Sequence, residues 1–281
     1  MPTRAPPSPE ETSWTLRVKL LASFWASRAA TLGLGAWLTR LLMGVVAVFG
    51  ACLAHPSEAI TFYTEISEPQ TFYRPGQQTL TGFSFDLINE MASRAGVPAT
   101  VTTSVPWGRA QTMVADPVQA DACLFSVTKT PERLPKFQWV GPLGMVKWTL
   151  FARADFDASV RNLEDVRPFR IGGYNRDART EYLVRELGFK VDIAPDDKIN
   201  PKKLATGRID LWISNLDNGA RTAESAGFPG VKPVLTFNEV YNYLACGPSV
   251  PKPTIAALQL ALDSINADGM RARIARRYQM K

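Results

Sequence analysis

Histidine is nearly missing from this chain: its 281 residues contain one, His55, and that one lies in an N-terminal stretch that reads as a leader. Without the leader no histidine remains, which excludes Ser-His-Asp and Cys-His catalysis and His-ligated zinc. Cysteine is scarce too. Of three, Cys52 falls in the leader, and Cys123 with Cys246 are too few for a Cys-rich metal site and form no CxxC pair. In an oxidising compartment these two could join as one disulfide; both sit in apolar strand-like runs, where two separate buried thiols are the plainer expectation. Internal repeats and low-complexity tracts are lacking. So is any strong excess of charge: the chain carries a net +6, and 27 basic residues face 23 acidic ones beyond residue 59. That balance is too mild to argue for a nucleic-acid partner, and the basic cluster Arg271, Arg273, Arg276 and Arg277 on the last helix reads as a solvated face.

What is present begins with the leader. Arg17, Lys19, Arg28 and Arg40 precede an uncharged run from Leu41 to Ala54, which ends near Ser57-Glu58-Ala59. This is the pattern of a secretory signal, residues 1–59, with cleavage after Ala59. It leaves 222 of the 281 residues. Extended to Ser57, the run reaches only the short limit for a membrane-spanning helix. Phe49-Gly50-Ala51-Cys52 is an imperfect lipobox, with Phe where an aliphatic residue is usual, so lipidation on Cys52 is the alternative to simple secretion.

Beyond the leader, strands and helices alternate. Ile60 to Thr64 reads as a strand, and Leu87, Ile88, Met91, Ala92 and Ala95 recur at helical spacing until Gly96 closes the helix. A second unit runs from Thr100 through Pro106-Trp107-Gly108-Arg109-Ala110 to the apolar strand Ala122 to Phe125. The cycle restarts with strands Lys147 to Ala152 and Phe169 to Gly172, a helix from Thr180 to Leu187, a helix from Pro201 to Ala205 capped by Asn200, and strand Ile209 to Ile213. Val240 to Cys246 is another strand, and Thr254 caps a helix carrying Ile255, Leu258, Leu262 and Ile265 on one stripe. Two α/β sets in 222 residues point to two lobes. Because the chain finishes in helices with no sheet of their own, the C-terminal segment is expected to return to the first lobe, making two strands cross as a hinge: 60–146 and 245–281 form one lobe, 147–244 the other.

The chemistry concentrates where strand Ala122 to Phe125 runs into Ser126-Val127-Thr128-Lys129-Thr130-Pro131-Glu132-Arg133. Arg offers a carboxylate a planar two-pronged donor, and hydroxyls and loop N–H groups fill its remaining lone pairs. The same letters also read as a helix start, with Thr130 as cap and Pro131 at the first helical position. Gly172-Gly173-Tyr174-Asn175-Arg176-Asp177 lies between a strand and the next helix, and free N–H groups there suit an anion; an ordinary βα turn is the other reading.

In order and spacing, five pieces resemble the family 3 extracellular solute-binding proteins: Gly82-Phe83-Ser84-Phe85-Asp86-Leu87, the Ser126 to Arg133 loop, Phe137-Gln138-Trp139-Val140-Gly141-Pro142, Gly207-Arg208-Ile209-Asp210-Leu211-Trp212, and Asp268-Gly269. The resemblance implies the α/β two-lobe periplasmic binding protein fold of type II, with two crossover hinge strands and closure on a ligand in the cleft. It implies no cofactor and no catalytic residue. In that family the arginine matching Arg133 holds a ligand carboxylate, so Arg133 inherits that role, with Thr128 and Ser126 as supports and Tyr174 and Asn175 on the other lobe.

Two positions depart from the pattern. Asn215 stands where amino-acid binders usually carry an Asp for the ligand ammonium; a neutral acceptor contributes roughly 1 kcal/mol less, about tenfold in affinity. A buried ammonium would then need another carboxylate, with Glu65 and Asp217 the candidates. Gln70 stands where relatives place a stacking aromatic, and Phe72 or Tyr73 is the expected substitute. Trp107 and Arg109 open the second helix as a possible aromatic wall and second anion contact, while Trp139 reads as core. The function this implies is a monomeric periplasmic protein that captures a small carboxylate, an amino acid or analogue, and delivers it to an inner-membrane ABC-type permease or a sensor. The alternative is a periplasmic dehydratase-like enzyme on the same fold with Glu65 as general acid.

Overall fold

The computed structural model describes residues 59–118 and 121–280. The expected leader up to Glu58, with His55 and the lipobox reading at Cys52, lies outside the described residues.

The first α/β set contains strand β1 (Ile60–Tyr63), the hairpin β2 (Phe72–Tyr73) and β3 (Leu80–Thr81), helix α1 (Phe83–Ala95), β4 (Ala99–Thr102), α2 (Trp107–Ala115) and β5 (Ala122–Thr128). Helix α1 forms where the apolar spacing predicts it. Leu87, Ile88, Met91 and Ala92 face inward, and Gly96 ends it in the left-handed region at φ 65, its N–H reaching back to Ser93 O. β6 (Gln138–Arg153) then carries the chain into a second set: β7 (Ile171–Tyr174), α3 (Ala178–Glu181), β8 (Val191–Ala194), α4 (Ile199–Ala205), β9 (Leu211–Asn215) and α5 (Gly219–Ser225). β10 (Val231–Cys246) returns, and α6 (Lys252–Ala267) with α7 (Met270–Arg277) packs on α1 in the first set.

One eight-stranded sheet runs in the order β4-β1-β5-β10-β6-β9-β7-β8. β1 is parallel to β4 and β5, and β7 is parallel to β8 and β9, while β10 and β6 are antiparallel to their neighbours. The hydrophobic clusters fall on either side of these two long strands. Val140, Leu143 and Leu244 join the core with α1 and α6; Leu150 and Ala152 join a different core with Ile171, Leu183 and Leu211. The same two strands therefore serve both lobes, as the order of elements leads one to expect.

Several local readings are corrected. The crossing strands are longer than their apolar cores suggest, because Gly141, Pro142, Gly144 and Pro233 interrupt the pattern without ending the pairing. β6 holds three residues, Gly141 to Leu143, between partners of Asn242 and Leu244, so the ladder bulges rather than stops. Helix α6 starts at Lys252 after Pro251 and not at a Thr254 cap, and Asn200 lies inside α4 instead of capping it. The helix expected over Thr180 to Leu187 is a short α turn capped by Asp177, which accepts from Arg179 N and Thr180 N, followed by a π turn over Tyr182–Glu186. Cys123 and Cys246 are not separate thiols. Antiparallel register sets them directly opposite on β5 and β10, and they are joined as a disulfide.

Candidate ligand-binding cleft

Between the lobes lies a cavity of about 450 Å³. Its walls come from loop ends of both lobes and from Val146, Trp148 and Asn242 on the crossing strands. Placement at strand ends follows from the architecture: the backbone of each sheet is satisfied by pairing up to the strand's last residue, so polar side chains become available just beyond it.

Of the residues expected at the site, Ser126, Thr128, Arg133, Glu65, Trp107, Tyr174 and Asn215 line this cavity. Three others do not. Phe72 is half-buried, edge-on to Tyr278 at 6.2 Å between ring centroids, because the β2–β3 hairpin lays it on the first lobe's core. Arg109 is exposed on the outer side of α2. Asn175 is exposed as well; its N–H extends the β7–β8 pairing to Ala194 O. Tyr73 points to solvent and Asp217 is exposed, while Gln70 itself reaches the cavity with its Oε1 accepting from Ser84 Oγ at 2.7 Å. Trp139 packs edge-on between Phe137 and Tyr243, away from the cavity wall.

On the first lobe, β5 ends in strained backbone: Ser126 has φ 63, the left-handed region that costs a non-glycine residue about 1–2 kcal/mol. Its Oγ donates to Ser84 Oγ at 3.3 Å, and Thr128 Oγ1 donates to Asn242 Oδ1 at 3.0 Å. Thr130 does not cap an α-helix. Its carbonyl and hydroxyl accept from Arg133 N within a turn that leads to a single 3-10 turn at Leu134–Lys136. That turn swings Arg133 inward, where it is 5% exposed. Its Nη2 donates across the cleft to Arg176 O at 2.7 Å and to Glu181 Oε2 at 3.2 Å, and Nη1 donates to Thr128 O at 3.4 Å. The carboxylate resting on Arg133 is thus the protein's own.

The second lobe offers a denser network. Tyr174 OH donates to Glu65 Oε2 at 2.8 Å and accepts from Arg179 Nη2 at 3.4 Å; Arg179 Nε donates to Asp177 Oδ1 at 2.9 Å. Trp212 Nε1 and Asn200 Nδ2 donate to Asp197 Oδ1 at 2.8 and 3.0 Å. Desolvation pushes the Glu65 carboxyl up to about 8, Asp197 and Asp177 adding to the rise while Tyr174 and Arg179 oppose it. Glu65 is half-buried on the cavity wall, and desolvation by the protein around it favours the neutral acid over the carboxylate. Desolvation raises Asp197 to about 6 against the pull of Arg179. Burial works against the Arg179 charge, but Asp177, Tyr174 and Asp197 together move it upward. Tyr174 is raised by burial and by the nearby carboxylates.

Asn215 supplies the remaining polar feature. Its Oδ1 is buried and has no hydrogen-bond donor, although buried acceptors are nearly always satisfied. Next to it Asn218 Nδ2 donates across the cleft to Ser67 Oγ at 2.6 Å. Sequence reasoning missed Arg179, Asp197, Asn218, Asn242 and Glu181. Only the first carried a signal, in the Asp177-Ala178-Arg179-Thr180 helix start; the others depend on pairings between distant segments.

A family profile describing the bacterial extracellular solute-binding proteins, family 3, matches residues 60–281. No curated protein matches in sequence. Among solved structures, a histidine kinase sensor domain with similarity to periplasmic binding proteins superposes with a TM-score of 0.70 at 17% identity, over 78% of this chain and 95% of that one. The arginine-, lysine-, histidine-binding protein of Geobacillus stearothermophilus gives 0.67 at 14%, over 78% and 94%. An ancestral amino acid-binding protein, a precursor of cyclohexadienyl dehydratase, gives 0.64 at 17%, over 78% and 94%. At these identities the likeness concerns the fold.

Proposed function

This chain belongs to the family 3 bacterial extracellular solute-binding proteins, and from that premise we propose that it is a monomeric periplasmic protein that captures a small carboxylate, an amino acid or close analogue, for an ABC-type importer or a sensor. Residues 60–146 with 245–281 would form one jaw and 147–244 the other, after removal of residues 1–59 as a signal peptide. Lipidation on Cys52 is the less favoured route to the same compartment.

The observation that carries this reading is the pairing, within one cavity, of the Arg133 guanidinium with an unpartnered acceptor at Asn215. An N–H donor on a ligand satisfies the second, an acid group shares the first with Glu181, and an α-amino acid has the two on one carbon. Trp107 and Trp148 supply apolar wall for its remainder. Thermal-shift and calorimetric titration against amino acids, dicarboxylates and amines tests the assignment. Amino acids are expected to stabilise the protein, and the shift is expected to vanish in Arg133→Ala. A shift that survives this substitution removes Arg133 as the anchor, and a response confined to amines without an acid group removes the carboxylate.

A second reading is favoured by one feature, the cavity-lining Glu65 with its carboxyl pushed up to about 8 by desolvation. A buried carboxylic acid can protonate a leaving hydroxyl, as a dehydratase requires. Incubating hydroxylated cyclic carboxylates with the protein and following loss of water by mass tests it. Turnover abolished in Glu65→Gln supports the enzyme, and absence of turnover across that set removes it.

A further inference from the structure

Arg133 is the inner end of a longer arrangement. Five side chains alternate in sign from solvent to cavity: Lys136, Glu132, Arg185, Glu181 and Arg133. Lys136 Nζ lies 3.0 Å from Glu132 Oε1, Glu132 Oε2 accepts from Arg185 Nη1, Arg185 Nη2 lies 3.9 Å from Glu181 Oε1, and Glu181 Oε2 accepts from Arg133 at 3.2 Å. Lys136, Glu132 and Arg133 belong to the turn after β5 in the first lobe. Glu181 and Arg185 stand one helical turn apart on the second. The outer three side chains are 43–59% exposed, Glu181 21% and Arg133 6%. Beside the ladder, the carbonyl of Arg176, itself at φ 55, accepts from both Gln111 Nε2 and Arg133 Nη2.

We infer that Glu181 and Arg185 are positioning residues for Arg133, and that with Glu132 they latch the two lobes together from the rim of the cleft. Each acid lies between two cations, so the ladder holds only when the lobes meet. Held at Nη2 by Glu181 and Arg176 O, the guanidinium has its orientation set by the second lobe, and closure rather than rotamer preference decides which N–H group faces the cavity. Because the outer contacts are exposed, they are weak and screened by salt, whereas the inner one is better shielded.

This inference rests on the reading of the protein as two closing lobes and not on the ligand's chemistry, so it is tested without ligand. Spin labels on Leu260→Cys and Ile193→Cys, exposed positions on opposite lobes, report lobe separation by pulsed dipolar spectroscopy; Cys123 and Cys246 are buried and bonded to each other. At low salt Arg185→Gln and Glu132→Gln are each expected to raise the open-to-closed ratio about two- to fivefold. The double variant should be no worse than either single one. Wild type is expected to open as NaCl rises to about 0.5 M, and the double variant to respond much less. Glu181→Gln should open the lobes at least as far as Arg185→Gln. An unchanged ratio in Arg185→Gln, additive effects in the double variant, or a salt response that persists in it overturns the latch; Arg133 guanidinium N–H resonances that keep their wild-type shifts in both Glu181→Gln and Arg185→Gln overturn the positioning role. Failure of every ligand titration alongside the expected shifts in lobe separation would count against the ligand assignment alone.

Discussion

The two walls of the cleft are built on different principles. The first lobe contributes Ser126, Thr128 and Arg133 from one short segment at the end of β5, and these bond to neutral hydroxyl, amide and carbonyl oxygens apart from Glu181. The second contributes Tyr174, Asp177 and Arg179 from the junction of β7 and α3, and Asp197 from the loop before α4, tied into a buried charged network. A wall of hydroxyls tolerates loss of one member at the cost of one hydrogen bond, whereas a buried charge network fails as a unit, since each removal leaves a charge without its partner.

Arg179→Met should break this contrast most forcibly if it is misconceived. It strands Asp177 and Asp197 as buried acids, so a loss of about 3–5 kcal/mol in denaturant unfolding is expected, against about 1 kcal/mol for Thr128→Val on the other wall. Comparable losses would mean the walls do not differ.

Glu65 links the two walls, and its effect on stability is a function of pH. Its folded value near 8 lies above the ordinary 4.5, so the folded state holds the proton more tightly than the unfolded chain. The stabilisation is complete below about pH 4.5 and is lost as pH rises through about 8, on the order of a few kcal/mol in all. Glu65→Gln keeps the neutral form at every pH. It should match wild type near pH 4.5 and exceed it in melting temperature near pH 9; a difference that stays flat across this range would mean Glu65 is charged throughout.

Asn215→Asp sharpens the comparison at the level of the ligand. If the second wall takes an ammonium there, amino-acid affinity should rise about tenfold by calorimetry while carboxylates without an amine bind more weakly; a fall for both would place the ammonium elsewhere. The smallest effect is expected at Ser126→Gly. Relief of left-handed strain, partly offset by the freedom glycine adds to the unfolded chain, should stabilise by at most about 1 kcal/mol, whereas a marked loss would show that the Ser126 hydroxyl outweighs the strain.

Much of the fold was legible because it depends on local pattern. The helical spacing from Leu87 to Ala95 with Gly96 behind it, the apolar strand before Ser126, and the helix-only finish of the chain led to two α/β lobes and a returning C-terminus. The crossing strands were underestimated, since Gly141, Pro142 and Gly144 look like a break when the partner strand is unseen. Phe72, Arg109 and Asn175 were placed near the ligand by adjacency to real cavity residues; which way each side chain faces is set by the hairpin, by the outer face of α2 and by the pairing to Ala194.

The sequence by itself determined the alternation of strands and helices, the family, and the segment that carries Arg133, because propensity, periodicity and short motifs act over a few residues. Tertiary structure alone decided the Cys123–Cys246 disulfide, the raised pKa of Glu65 and the occupation of Arg133 by Glu181. The physical reason is common to the three: strand register, desolvation and charge pairing arise between residues 48 to 123 positions apart, and take their values only once the chain has brought them together.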